Sequence, residues 1–154
     1  MRCRCGLGAQ VTGVATTAGT REGFEVITPA GVPAALPDTE VLISLLPDLP
    51  GTRGLLGASV FAALPPRAVV VNVGRGAVLD EAALGAALSE GRLSGAALDV
   101  FATEPLPADA PLWAAPNLLV SPHAAGGRPV GAAALIARNL RALLADDALV
   151  NVVR

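Results

Sequence analysis

The segment Val69–Val73 (VVVNV), closed by Gly74-Arg75-Gly76, constrains this chain more than any other. A short apolar run of β-branched residues ended by glycine reads as a strand, the strongest in the sequence. Asp80 follows as a helix N-cap, its carboxylate placed to accept from the exposed amides of a first turn. Ala83, Leu84, Ala87 and Leu88 then recur on one helical face, and Gly91 stands at the position where a helix ends in left-handed backbone. A strand, a glycine turn and a capped helix in that order form half of a parallel β-α-β unit.

The rest of the chain repeats the alternation. Gln10–Ala15 (QVTGVA) reads as a strand and Glu25–Ile27 as a short one, with a brief helix over Ala30–Leu36 before Pro37-Asp38. Val41–Leu46 (VLISLL), closed by Pro47, has the continuous apolar character of a strand buried on both faces. Ala58–Leu64 is a short helix stopped by Pro65-Pro66, and Gly95–Val100 (GAALDV) is another buried strand. A proline-rich loop from Thr103 to Pro111 precedes a last strand at Leu118–Ser121, and a final helix covers Val130–Leu144. Strands alternating with helices predict an α/β fold, a parallel sheet with flanking helices. No internal repeat or low-complexity linker divides the chain.

Composition removes several functional classes. Over 154 residues, 53% are hydrophobic and 16% charged, with mean hydropathy +0.58, which is incompatible with a disordered chain. Every apolar run is nonetheless broken before the roughly 18 residues that a membrane span requires. The formal charge of −2 offers no basic surface for nucleic acid or anionic lipid. Cys3 and Cys5 are too close for a relaxed disulfide, and no further Cys or His pair completes a metal site. Arg2 and Arg4 lack a following apolar segment of signal-peptide length, so a cytoplasmic location is expected.

Three ionisable residues follow the carboxyl ends of predicted strands: Arg75, Glu104 and His123. Ligands of open α/β sheets bind outside those ends. Enough chain separates the three for helices or loops to intervene, so three neighbouring strands could bring them together. An arginine fork can grip a carboxylate and polarise an adjacent carbonyl. A histidine can donate a proton near neutrality, and a carboxylate beside it favours the imidazolium. The set suits reduction of a 2-keto acid to a 2-hydroxy acid by nicotinamide hydride. Each residue taken alone is equally at home in a plain role: a turn arginine, a solubilising loop glutamate, a satisfied histidine.

Four stretches go further: LLPDLPGTRGLLG (45–57), VVNVGRGAVLDEAAL (70–84), GRLSGAALDVFATEPLP (91–107) and LWAAPNLLVSPHAAG (112–126). In order and spacing they closely resemble the nucleotide-binding domain of D-isomer-specific 2-hydroxyacid dehydrogenases, which include glyoxylate/hydroxypyruvate reductases. The resemblance implies a Rossmann-like domain binding NAD or NADP and acting on a small 2-keto or 2-hydroxy acid, in a homodimer. It assigns Arg75 to the substrate carboxylate and carbonyl, His123 to acid–base transfer and Glu104 to pairing with His123. It places Asp99 on the nicotinamide carboxamide, Val73, Gly74, Arg75 and His123, Ala124, Ala125, Gly126 along the nicotinamide, and Leu46-Pro47 beside the adenosine and ribose.

The resemblance also implies parts that this sequence does not show: a first strand, a GxGxxG turn and a separate substrate domain. Met1–Ala9, with Gly6-Leu7-Gly8, matches the tail of a lost helix better than a phosphate loop. The expected division is therefore a residual segment at 1–9, a partial dinucleotide-binding domain at 10–126, and a helix and tail at 127–154. The strand end Ala15-Thr16-Thr17 carries neither the acidic residue that selects NAD nor an arginine for a 2′-phosphate, Arg21 being the nearest. An N-terminally truncated dehydrogenase is the first reading, and a catalytically incompetent fragment serving as an interaction module is the second.

Overall fold

The structure, a computed structural model, describes residues 8–124, 126 and 130–151. Cys3, Cys5, Gly6 and Leu7 lie outside the described residues. The chain divides into two compact units, the first ending at His123 and the second beginning at Ala124.

Among the described residues the first unit contains two sheets. One orders β1 (Thr12–Val14), β2 (Gly19–Arg21) and β3 (Phe24–Ile27) as β1-β3-β2, with β1 parallel and β2 antiparallel to β3. Strand β2 has no counterpart in the sequence-based reading. It forms because Arg21 pairs with Phe24 across the two-residue turn Glu22-Gly23, both of whose residues take positive φ (49° and 85°). That turn matches the right-handed twist of the strands it joins. The helix expected over Ala30–Leu36 is broken into a 3-10 turn at Pro29–Gly31, α1 (Val32–Ala35) and a second 3-10 turn at Leu36–Asp38. Prolines at 29, 33 and 37 each lack the amide that a longer α-helix needs.

The second sheet is wholly parallel and carries the candidate site. It comprises β4 (Val41–Ser44), β5 (Ala68–Asn72), β6 (Leu93–Leu98) and β7 (Leu118–Val120), in that spatial order. Register pairs Ser44 with Asn72, Asn72 with Leu98, and Leu98 with Val120, so the carboxyl ends of all four strands are level. Strand β4 corrects one expectation. It is the sheet's terminal strand, and Val41 and Ile43 are 52% and 58% exposed rather than buried. An apolar run specifies a strand whose faces suit burial, but not whether a neighbour covers them.

Against this sheet pack α2 (Ala58–Ala63) and α3 (Glu81–Ser89). Phe61, Leu64, Val70, Val78, Leu84, Leu88, Leu93 and Leu98 form the fully buried centre, each stabilising by about 1.5–3 kcal/mol through lost water contact. Asp80 caps α3 as expected, accepting from the Ala83 amide at 3.0 Å. Gly91 closes the helix at φ +67°. The Arg92 guanidinium then donates to the carbonyls of Ala62 and Leu64 at the end of α2.

The second unit contains α4 (Ala132–Leu144), two residues shorter at its start than the sequence pattern suggests. Ile136, Leu140, Leu143 and Leu144 are exposed along it. The Asn139 side chain pairs with both backbone groups of Val150, donating to its carbonyl at 2.9 Å and accepting from its amide at 3.1 Å. Among the described residues no helix is long and apolar enough to cross a membrane.

Candidate active site

Because β5, β6 and β7 are neighbours in a parallel sheet, the segments leaving their carboxyl ends emerge side by side. Each carries one of the three candidate residues.

The segment after β5 is fixed by Asn72, which is fully buried. Its Nδ2 donates to the Arg75 carbonyl at 3.0 Å, and its Oδ1 accepts from the Gly74 amide at 3.2 Å. The Val73 amide extends the β4–β5 ladder by donating to the Ser44 carbonyl at 3.1 Å. Gly74 lies so close to the end of β4 that a Cβ there would sit 2.6 Å from the Leu46 carbonyl oxygen. Gly76 is tighter still, since a Cβ would fall 1.9 Å from the Phe101 carbonyl carbon. Between these two contacts the Arg75 side chain is exposed, its Nη1 donating to the Gly74 carbonyl at 2.7 Å.

The segment after β6 starts at Asp99, 4% exposed, whose amide donates to the Asn72 carbonyl at 3.0 Å. Its Oδ1 accepts from the Ser121 hydroxyl, which belongs to the segment after β7. Two successive amides then meet two carboxylates. The Phe101 amide donates to Glu104 Oε1 at 2.9 Å, and the Ala102 amide to Glu81 Oε1 at 2.7 Å. Glu104 Oε2 lies 2.7 Å from His123 Nδ1. His123 takes a left-handed conformation at φ +53°, tolerated more readily by histidine than by branched side chains, and its amide donates to the Ser121 carbonyl at 3.1 Å.

This arrangement sets the carboxyl group of Glu104 below the ordinary carboxylate range. The hydrogen bond with His123 is the largest cause and the Phe101 amide the next; partial desolvation opposes them, and the charges of His123 and Arg75 add to the lowering. A carboxylate so stabilised remains ionised and fixes the imidazole through Nδ1.

The structure therefore brings Arg75, Glu104 and His123 together at one end of the sheet. Asp99 and Val73 stand at the same strand ends, and the backbone of Leu46, before Pro47, abuts Gly74. Ala124 and Gly126 fall in the second unit, and Ala125 lies outside the described residues. Three side chains in these contacts were not singled out from the sequence: Asn72, Glu81 and Ser121. Only Asn72 carried a local signal, a polar residue inside a run of valines. Among the described residues no three His, Cys, Asp or Glu side chains converge as a metal site.

Residues 1–125 match the family described as D-isomer specific 2-hydroxyacid dehydrogenase, NAD binding domain. The chain belongs to that family. Its similarity to curated members extends over its whole length: it is 38% identical over 158 residues to a glyoxylate/hydroxypyruvate reductase A of Yersinia enterocolitica, covering 100% of this chain and 48% of that one. An NADPH-dependent glyoxylate/hydroxypyruvate reductase from Sinorhizobium meliloti, solved with NADP and sulfate, superposes with TM-score 0.87 at 35% identity, over 96% of this chain and 48% of that one. A D-isomer specific 2-hydroxyacid dehydrogenase from Xanthobacter autotrophicus, solved with NADPH and MES, gives 0.84 at 42% identity, over 93% and 60%. The chain spans about half the length of the curated relatives it matches. It matches the family's NAD-binding domain and has the Rossmann-like parallel sheet that the alternation of its strands and helices predicts.

Proposed function

We propose that this chain serves NAD(P)H-dependent reduction of a small 2-keto acid, of the glyoxylate or hydroxypyruvate kind, to the 2-hydroxy acid. The observation that carries the reading is the Glu104–His123 pair at 2.7 Å, with Arg75 on the adjacent strand end. When bound, the nicotinamide supplies the hydride. The residues present suit the nicotinamide end of such a group. The Asp99 carboxylate is an acceptor for the N–H donors of a carboxamide, and Gly74, lacking a side chain, lets the Leu46 and Val73 segments lie flush against each other.

Within that frame the side chains divide the work. Arg75 binds the substrate carboxylate through its guanidinium fork and polarises the neighbouring carbonyl. His123 delivers a proton from Nε2 to the oxygen that gains charge, while Nδ1 stays with Glu104. Glu104 holds the ring's orientation through Nδ1. NADPH is the favoured coenzyme, because both structurally similar enzymes described above were solved with NADP or NADPH.

Calorimetric titration of the folded chain with NADPH and NADH, at matched ionic strength, tests the coenzyme half of this reading. Saturable binding is expected, and a panel of 2-keto acids then tests turnover. Arg75→Ala should abolish turnover and leave coenzyme affinity largely intact; loss of both together counts against its assigned role. A folded chain that binds neither coenzyme overturns the reading in favour of a non-catalytic interaction module.

A further inference from the structure

We propose that Glu81 is a positioning residue for the acid–base pair, holding through the Ala102 amide the loop that presents Glu104 to His123. The inference rests on the reductase reading above but concerns a residue that no part of that reading uses.

Glu81 opens α3 immediately after its cap, Asp80. An acidic residue there ordinarily serves its own helix, facing the free amides of the first turn. This one reaches across to a different loop and accepts from the Ala102 amide at 2.7 Å, 21 residues further along the chain. The preceding amide, Phe101, is taken by Glu104 itself. Residues 101 and 102 are thus gripped from two directions. The same two residues are pressed from a third side by Gly76, whose hydrogen replaces a Cβ that would overlap the Phe101 carbonyl and lie 2.5 Å from the Ala102 nitrogen.

The Arg75 segment, the start of α3 and the Glu104 loop are therefore latched together at one point, and the hydrogen bond at Glu81 is the polar part of the latch. Glu81 has no contact with His123 among the interactions described, so its action on the pair passes through the loop backbone. The charged groups that face Glu104 itself are His123 and Arg75.

Charge and position predict opposite signs when Glu81 is removed, which makes the inference testable without turnover. Deleting a negative charge can only make Glu104 easier to ionise, moving its titration down wherever that charge is felt. Releasing the loop weakens the bonds from His123 and Phe101 and moves it up. The experiment is a carbon-detected NMR titration of Glu104 in the full 154-residue chain, assigned by Glu104→Gln, together with amide exchange at Ala102. Glu81→Ala should raise the Glu104 midpoint toward the ordinary carboxylate range and speed Ala102 exchange. Glu81→Gln, which keeps an acceptor oxygen and loses the charge, should hold both near their original values.

If the alanine variant does not fold, Glu81→Asp is measured in its place; it keeps the charge but is one methylene short of the amide, and it should behave as alanine is expected to. A midpoint that stays or falls in the shortened variants, or a glutamine variant indistinguishable from alanine, overturns the inference. Where turnover is measured, Glu81→Ala should lower kcat on the order of tenfold to a hundredfold, as a small misplacement of a reacting group does, with a smaller change in KM. Absence of turnover in the unmodified chain would instead count against the reductase reading, and the titration would still decide whether Glu81 positions the pair.

Discussion

Gly76→Ala is the sharpest perturbation the structure offers. The added methyl carbon would lie 1.9 Å from the Phe101 carbonyl carbon, 2.0 Å from its oxygen and 2.5 Å from the Ala102 nitrogen. Ordinary carbon contacts are about 3.5–4.0 Å, so the two segments must part by roughly 1.5 Å or more. Both obstacles are backbone, so no side chain can rotate aside to accommodate it. Overpacking of this kind costs about 1–3 kcal/mol, and loss of the Glu81–Ala102 hydrogen bond adds about 1 kcal/mol. The expected destabilisation is therefore ~2–4 kcal/mol. For a chain of this size that corresponds to a fall in Tm of roughly 5–15 °C in a reversible thermal melt followed by circular dichroism. The Glu104–His123 pair should loosen in the same variant, visible as an upward movement of the Glu104 titration. A variant melting within about 2 °C of the parent chain, with that titration unmoved, would refute the reasoning.

Gly85 provides the opposite case: it lies inside α3, and a Cβ there meets nothing within 4 Å, so Gly85→Ala should stabilise by about 0.5–1 kcal/mol in urea unfolding. Asp80→Ala removes the cap that holds the Ala83 amide and should cost about 1 kcal/mol in the same assay. Glu104 sets a pH dependence whose sign is fixed. Its folded carboxyl titrates below its unfolded one, so its contribution to stability is complete above the unfolded pKa and disappears as pH falls through the folded one. Stability measured across the acid range should accordingly fall less steeply in Glu104→Gln than in the parent chain.

Much of the parallel sheet was legible because its strands are apolar runs, most of them closed by glycine or proline. Asp80 and Gly91 likewise announced the ends of α3, and the spacing of Arg75, Glu104 and His123 past successive strands anticipated their meeting. What escaped depends on partners remote in sequence. Strand β2 is too short and polar to show a period and is specified by the Glu22-Gly23 turn instead. Glu81 looks like an ordinary first-turn residue until Ala102 arrives beside it. The exposure of Val41 and Ile43 belongs to a whole face of the sheet, on which Leu119 of β7 is 69% exposed as well, and no local pattern encodes whether a face is covered.

The level strand ends of β5, β6 and β7 carry one further consequence. Three candidate side chains spring from a single hydrogen-bonded slab, with turns pinned by Asn72, Asp99 and Ser121. The loss of freedom needed to hold them in register is incurred when the chain folds, not when a ligand arrives. A substitution that disturbs the slab away from these side chains should therefore be felt where they meet.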